Sequence, residues 1–184
     1  NFKRRFRLGP ASQPCCDTAG EQRAVLLIRD NIRQRSDILN AYLRAINSAE
    51  HEIVIANAYF LPGFRFGRAL YAAAQRGVKI IVLLQGKTDH PMLRYATHTL
   101  YGEALNKGIR IFEYEKSFMH AKVAVIDRRW ATVGSSNIDP FSLLLAKEGN
   151  LVVDDPDFAG QLRDSLQQAM DTGAREVLPE ELTR

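Results

Sequence analysis

Cysteine is the first scarcity. Only two occur in 184 residues, adjacent at Cys15 and Cys16 in a stretch that also holds proline and glycine. Neighbouring cysteines rarely bridge to one another, and a pair makes neither a disulfide framework nor a zinc site, so a reducing compartment is the simplest fit. Long apolar runs are missing too. No stretch approaches the roughly 20 consecutive apolar residues of a spanning helix, so the domain is not expected to cross a membrane by one. Histidine, cysteine and carboxylates nowhere cluster at ligand spacing, and neither a metal nor another cofactor is expected. An initiator methionine and a hydrophobic signal segment are absent as well, so the chain reads as a processed product or a piece of something longer. What remains, 46% hydrophobic and 25% charged, has the size and composition of one globular domain with a core.

A surplus of one charge is nearly absent from the body of the chain. The net charge is +4, but Lys3, Arg4, Arg5 and Arg7 sit in an opening heptapeptide without an acid, and beyond it 21 basic residues face 21 acidic ones. A dedicated nucleic-acid binder carries its basic excess on the folded surface, because phosphate neutralisation dominates such affinity. Nucleic acid is therefore not the expected partner. A weaker asymmetry persists: residues 21–110 carry 13 basic and 7 acidic residues, residues 111–184 carry 8 and 13. It could orient the domain on an anionic surface, although solvated helix faces would give the same count.

Residues 1–20 lack hydrophobic periodicity and contain Gly9, Pro10, Pro14 and Gly20, which marks a basic, flexible linker or tail ahead of a domain at 21–184. Phe2, Phe6 and Leu8 among the cations give the tail a second reading as a membrane contact, each Lys or Arg near an anionic surface contributing about 1 kcal/mol. From Ser36 the pattern becomes regular. Ser36 and Asp37 open a helix to about Glu50, with Ile38, Leu39, Tyr42, Leu43 and Ile46 at helical spacing. "EIVIANAYF" reads as a buried strand, "FGRALYAAAQRG" as a helix capped at Gly77, and "VKIIVLLQG" as a second buried strand. A third helix, roughly Pro91 to Lys107, ends at Gly108 before the strand "IRIFEY". Strands "HAKVAVID", "ATVG" and "EGNLVVD" follow, and a final helix from about Pro156 to Met170 packs Phe158, Leu162, Leu166 and Met170 on one face. Strand, helix, glycine, strand, repeated, predicts crossovers and parallel pairing in an α/β fold. Ligands collect beyond the carboxyl ends of such strands, which places Tyr59–Phe66, Gly86–His90 and Tyr114–Phe118 around a common site.

The chemistry concentrates in "MHAKVAVIDRRWATVGSSN". Alternate side chains of a strand share a face, so His120 and Lys122 point the same way. An imidazole can attack phosphorus or pass a proton, and an ammonium beside it neutralises the non-bridging oxygens of a phosphodiester. Gly134 permits close backbone approach, while Ser135, Ser136 and Asn137 offer donors in a turn that could hold the same oxygens. A lone His-x-Lys would be no more than a surface strand; the full array is more specific.

His120, Lys122, Asp127, Gly134, Ser135 and Asn137 meet the pattern HxK(x)4D(x)6GSxN in full, and on them the chain resembles the phospholipase D superfamily. "IVIANAYFLPG", "AAQRGVKIIVLLQGKTD", "GIRIFEYEKSFMHAKVAVID" and "WATVGSSNIDPFSL" extend the likeness to the carboxyl-terminal half of bacterial cardiolipin synthases, nearest the B type, over most of residues 22–170. The resemblance implies a single lobe of phospholipase D-like α/β fold, a largely parallel or mixed sheet with helices on both faces. It makes His120 one of two catalytic histidines, nucleophile or general acid, with Lys122 and Asn137 binding phosphoryl oxygens and Ser135 assisting. Asp127 belongs to the motif but is expected to brace the turn. Glu148 falls where the family keeps an acid that hydrogen-bonds the histidine. Two positions depart from the family's habit: Ala146 stands for an asparagine and Phe141 for an arginine.

The family needs two such motifs, and this chain has one, since His51, His90 and His98 lack the lysine. A second lobe or a homodimer partner must supply the other. The implied reaction forms cardiolipin from phosphatidylglycerol and a second phospholipid through a phosphohistidine, on the cytoplasmic side of a bacterial inner membrane to which the protein is peripheral. At the predicted mouth "YFLPGFRFG" offers Tyr59, Phe60, Leu61, Phe64 and Phe66 to lipid, with Arg65 and Arg68 for headgroups. A buried loop and helix start would give the same pattern. The alternatives are a homodimeric nuclease or phosphodiesterase of the same superfamily, and a lobe that binds phosphate or anionic lipid without turning it over.

Overall fold

Residues 22–29, 36–86, 101–139 and 147–182 are described by a computed structural model. Apolar runs such as "EIVIAN" and "KIIVLLQ" suit strands covered on both faces, and they form the centre of an eight-stranded mixed sheet. The strands are β1 (Arg23–Arg29), β2 (Glu52–Asn57), β3 (Lys79–Gln85), β4 (Arg110–Tyr114), β5 (Lys122–Ile126), β6 (Trp130–Gly134), β7 (Glu148–Asp154) and β8 (Ala174–Glu176), ordered β1-β7-β6-β5-β2-β3-β4-β8. Only β2, β3 and β4 run parallel, which are the strands joined by the helical crossovers. The other pairings are antiparallel.

Helices α1 (Asp37–Asn47), α2 (Phe64–Gln75) and α3, described over residues 101–106, cover one face. Helix α4 (Pro156–Gly173) covers the other. The alternation of β2 divides the core accordingly: Ile53 and Ile55 pack toward α1 and α2, Val54 and Ala56 toward α4. Asp155 caps α4 by accepting the Phe158 amide at 2.8 Å, and Pro156 takes the first turn, where no amide is needed. Gly77 and Gly108 both adopt positive φ, 87° and 78°, and turn the chain from helix to strand as the sequence predicts.

Two strands are additional to those expected from the sequence. β1 and β8 are the sheet's edges; β1 lies antiparallel to β7, and β8 is three residues long. The expected tail, residues 91–100 of the expected third helix, and Phe141 and Ala146 lie outside the described residues.

Candidate active site

The carboxyl ends of β1, β2, β3, β4 and β6 and the amino ends of β5 and β7 meet along one end of the sheet. His120 and Lys122 stand there. Lys122 lies on the α1/α2 face, opposite Asn57 of β2 in register, and is only 7% exposed. Its Nζ lies 2.9 Å from Nε2 of His120 and 3.3 Å from the His120 carbonyl. Burial disfavours its cation and lowers its pKa, and the charge of Glu148 opposes that shift. The His120 ring is exposed and lies nearly parallel to Phe118, with centroids 6.1 Å apart. Gln85 fixes the approach to the histidine by accepting the Met119 amide with its side-chain oxygen.

The Gly-Ser-Ser-Asn turn closes the other side. Gly134 is required there because a Cβ would fall 2.3 Å from the side chain of Asn150. With no Cβ in the way, Asn150 donates to Thr132 Oγ1 at 3.2 Å and accepts the Ser136 amide at 3.4 Å, holding the turn from beneath. Ser135 is exposed and its hydroxyl donates to the Glu148 carboxylate. Ser136 is fully buried, and its hydroxyl has no hydrogen-bond partner among the described residues. Asn137 is half-buried and its Oδ1 has no hydrogen-bond partner among the described residues.

Other expected site residues sit differently. Glu148 accepts from Ser135 rather than from His120, and its charge acts on Lys122: among the described residues the imidazole's partners are Lys122 and Phe118. Asp127 lies at the opposite end of β5, where its carboxylate accepts the amides of Glu50, His51 and Glu52 at 2.8–2.9 Å. Asp127 and Arg128 both have φ near +50°, the central pair of a type I′ turn, and the three amide bonds hold that strained turn. Asp127 thus holds this turn and does not meet the other motif residues.

The aromatic loop is corrected in part. Phe60 and Phe66 belong to the core, edge-to-face at 6.5 Å, because α2 turns Phe66, Ala69, Leu70 and Ala73 onto the sheet. Phe60 is therefore a wall of the core rather than an exposed side chain of the loop. Phe64 is 81% exposed, beside exposed Arg65 and Arg68, and Tyr59 is half-buried.

Sequence reasoning passed over Asn57. Its side chain is fully buried; Oδ1 accepts the Tyr59 amide at 3.3 Å, which fixes the amide's orientation, and Nδ2 has no partner. The signal was present: a polar residue closing the apolar run Ile53–Ala56, on the edge where ligands collect. Gln85 ends "KIIVLLQ" in the same way, and its Nε2 also lacks a partner.

This geometry, an ammonium sunk beside an exposed imidazole with a Ser/Asn turn opposite, suits a tetrahedral anion held at the imidazole nitrogen. Among the described residues no cluster of His, Cys, Asp or Glu could hold a metal ion. Residues 42–170 match the family described as cardiolipin synthase, PLD-like domain. The chain is 44% identical over 158 residues to cardiolipin synthase B of Escherichia coli K12, covering 86% of this chain and 38% of that protein. It thus spans well under half the length of this curated relative. Its fold is similar to phosphatidylserine synthase of Haemophilus influenzae, TM-score 0.74 at 13% identity, covering 88% of this chain and 41% of that one. It is also similar to Nuc, a phospholipase D family member of Salmonella typhimurium, TM-score 0.69 at 21% identity, covering 85% of this chain and 99% of that one. With the family match covering residues 42–170, which hold strands β2 to β7 and the whole of the His120 site, the chain belongs to the PLD-like domains of the cardiolipin synthase family.

Proposed function

We propose that this domain is one catalytic lobe of a phosphatidyltransferase that forms cardiolipin from phosphatidylglycerol and a second phospholipid. The observation that carries the reading is the 2.9 Å approach of buried Lys122 to His120 Nε2. At rest the ammonium donates to that nitrogen and occupies its lone pair. An arriving phosphodiester offers the buried cation a full counter-charge, so Lys122 turns to the phosphoryl oxygens and frees the imidazole. One of two histidines, His120 or its counterpart, then attacks phosphorus. The P–N bond forms as the bond to the headgroup alcohol breaks, and the other histidine gives that alcohol its proton. The hydroxyl of phosphatidylglycerol, deprotonated by the same second group, attacks the phosphohistidine and restores the first histidine. If the donor is also phosphatidylglycerol, glycerol leaves. Asn137 and Ser135 donate to the phosphoryl oxygens, and Glu148, through Ser135, aligns the turn.

The second histidine comes from another lobe or another copy of the chain. A strip of apolar side chains on the α4 side of β1, β7 and β6, formed by the cross-strand partners Leu26, Leu151 and Val133, is exposed and available to that lobe. Among the described residues no helix is long and apolar enough to cross a membrane. Phe64, Arg65 and Arg68 instead suit peripheral contact with the anionic cytoplasmic face of an inner membrane.

The test supplies phosphatidylglycerol vesicles to the complete two-lobed protein and follows cardiolipin and glycerol. Equal yields of the two support transfer. Phosphatidic acid in place of cardiolipin would mean hydrolysis and count against it. A second reading, a homodimeric nuclease, draws on the likeness to Nuc over nearly all of that chain. The balanced charge beyond residue 7 argues against it. DNA cleavage that His120→Ala abolishes would promote it.

A further inference from the structure

Between α2 and α3, above β3 and β4, lies a groove of about 550 Å³. One wall is a stripe of α2 that includes Gly67 and Tyr71, the other is Ala104 of α3 with exposed Glu103 and Lys107 beside it, and Val82 and Ile111 form the floor. Its length follows α2, whose 12 residues span about 18 Å. Its upper end is Phe60, and there it adjoins the active site. Phe60 bridges Ile138, and the Leu61 amide donates to the Ile138 carbonyl at 2.7 Å, one residue past Asn137. Groove and phosphoryl cradle therefore share a wall.

We infer that this groove takes one acyl chain of the phospholipid whose phosphate reaches Lys122. The inference rests on the phosphatidyltransfer reading above and names how the substrate is held. Lys122 is buried, so a phospholipid whose phosphate meets Nζ must leave the plane of the bilayer. The methylenes lifted with it then need an apolar surface in place of the membrane, or they meet water. The groove offers one that begins beside the cradle and runs the length of a long chain. Exposed Arg68, which lines it, is placed for the phosphate of a neighbouring lipid.

Gly67 makes the groove testable. A Cβ built on it meets nothing within 4 Å, so a side chain can enter the space without displacing the core. In the complete two-lobed protein, Gly67→Trp and Gly67→Ala are compared on two substrates. One is long-chain phosphatidylglycerol in mixed micelles, the other bis(p-nitrophenyl) phosphate, a soluble diester without acyl chains. Each methylene kept from water is worth roughly a fourfold gain in binding, so blocking the seat of two or more predicts a loss above about tenfold in kcat/KM for the lipid. The soluble diester should be turned over by Gly67→Trp as by the wild type, which also reports that the variant is folded. Gly67→Ala should leave both unchanged. Unaltered lipid turnover in Gly67→Trp, or an equal loss on both substrates, overturns the inference. A wild type that cleaves the soluble diester but makes no cardiolipin overturns the phosphatidyltransfer reading, and with it the acyl chain as occupant.

Discussion

Two residues of the site end of β2 and the far end of β5 separate chemistry from bracing. Asn57 keeps a buried amide without a partner beside Lys122. A structural amide in that state costs stability, whereas a donor waiting for a phosphoryl oxygen repays the cost during turnover. Asn57→Leu should therefore leave thermal stability unchanged or raised while kcat falls about 10- to 100-fold, as for other lost donors to a developing anion. Unchanged kcat would return Asn57 to the core. Asp127 predicts the reverse. Asp127→Ala orphans three amides and relaxes a turn with positive φ, and should cost about 2–4 kcal/mol in urea unfolding. Activity per folded molecule should persist. Burial pushes the Asp127 carboxyl up, but the three amide donors outweigh it and hold the group below the usual carboxylate range. The stability it contributes is present above its unfolded pKa, near about 4, and is lost as pH falls through the lower folded value. Asp127→Asn should flatten that part of the acid-unfolding profile; an unchanged profile would remove Asp127 from it.

At the scale of elements, α4 is tied to the sheet by a bidentate pair. Arg163 Nε and Nη2 donate to the Glu52 carboxylate at 2.6 and 2.9 Å, and the pairing lowers the Glu52 pKa. Removing one partner strands a buried charge, so Glu52→Ala should destabilise by about 3 kcal/mol, and Glu52→Ala with Arg163→Met by much less. Equal losses in the single and double variants would contradict that coupling. Helix spacing and unbroken apolar runs made α1, α2, α4, β2 and β3 legible in the sequence, because each carries its own period. β1 and β8 were not, since an edge strand and a three-residue strand owe their existence to the neighbour they pair with. The loop "YFLPGFRFG" is aromatic on every side, so only the docking of α2 decides that Phe60 and Phe66 go inward and Phe64 outward. The motif showed that His120 and Lys122 share a face. That Asn57 lies opposite Lys122 depends on the β2–β5 register, a long-range pairing no local pattern encodes.

For the whole molecule, the proposed transfer makes the single motif of this chain half a site. If the second lobe seats on the exposed strip of Leu26, Val133 and Leu151, Leu151→Glu should separate the lobes and depress transfer, with this domain's own unfolding midpoint little changed. Retained transfer in that variant would place the second lobe elsewhere. The central claim, that His120 performs phosphatidyl transfer within a two-lobed protein, is tested most directly by replacing it. In the complete protein, cardiolipin formation from phosphatidylglycerol is measured for the wild type and for His120→Ala, with far-UV circular dichroism to show that both are folded. The account predicts cardiolipin and glycerol from the wild type and none above background from the folded variant; cardiolipin formed at an undiminished rate by His120→Ala would contradict it.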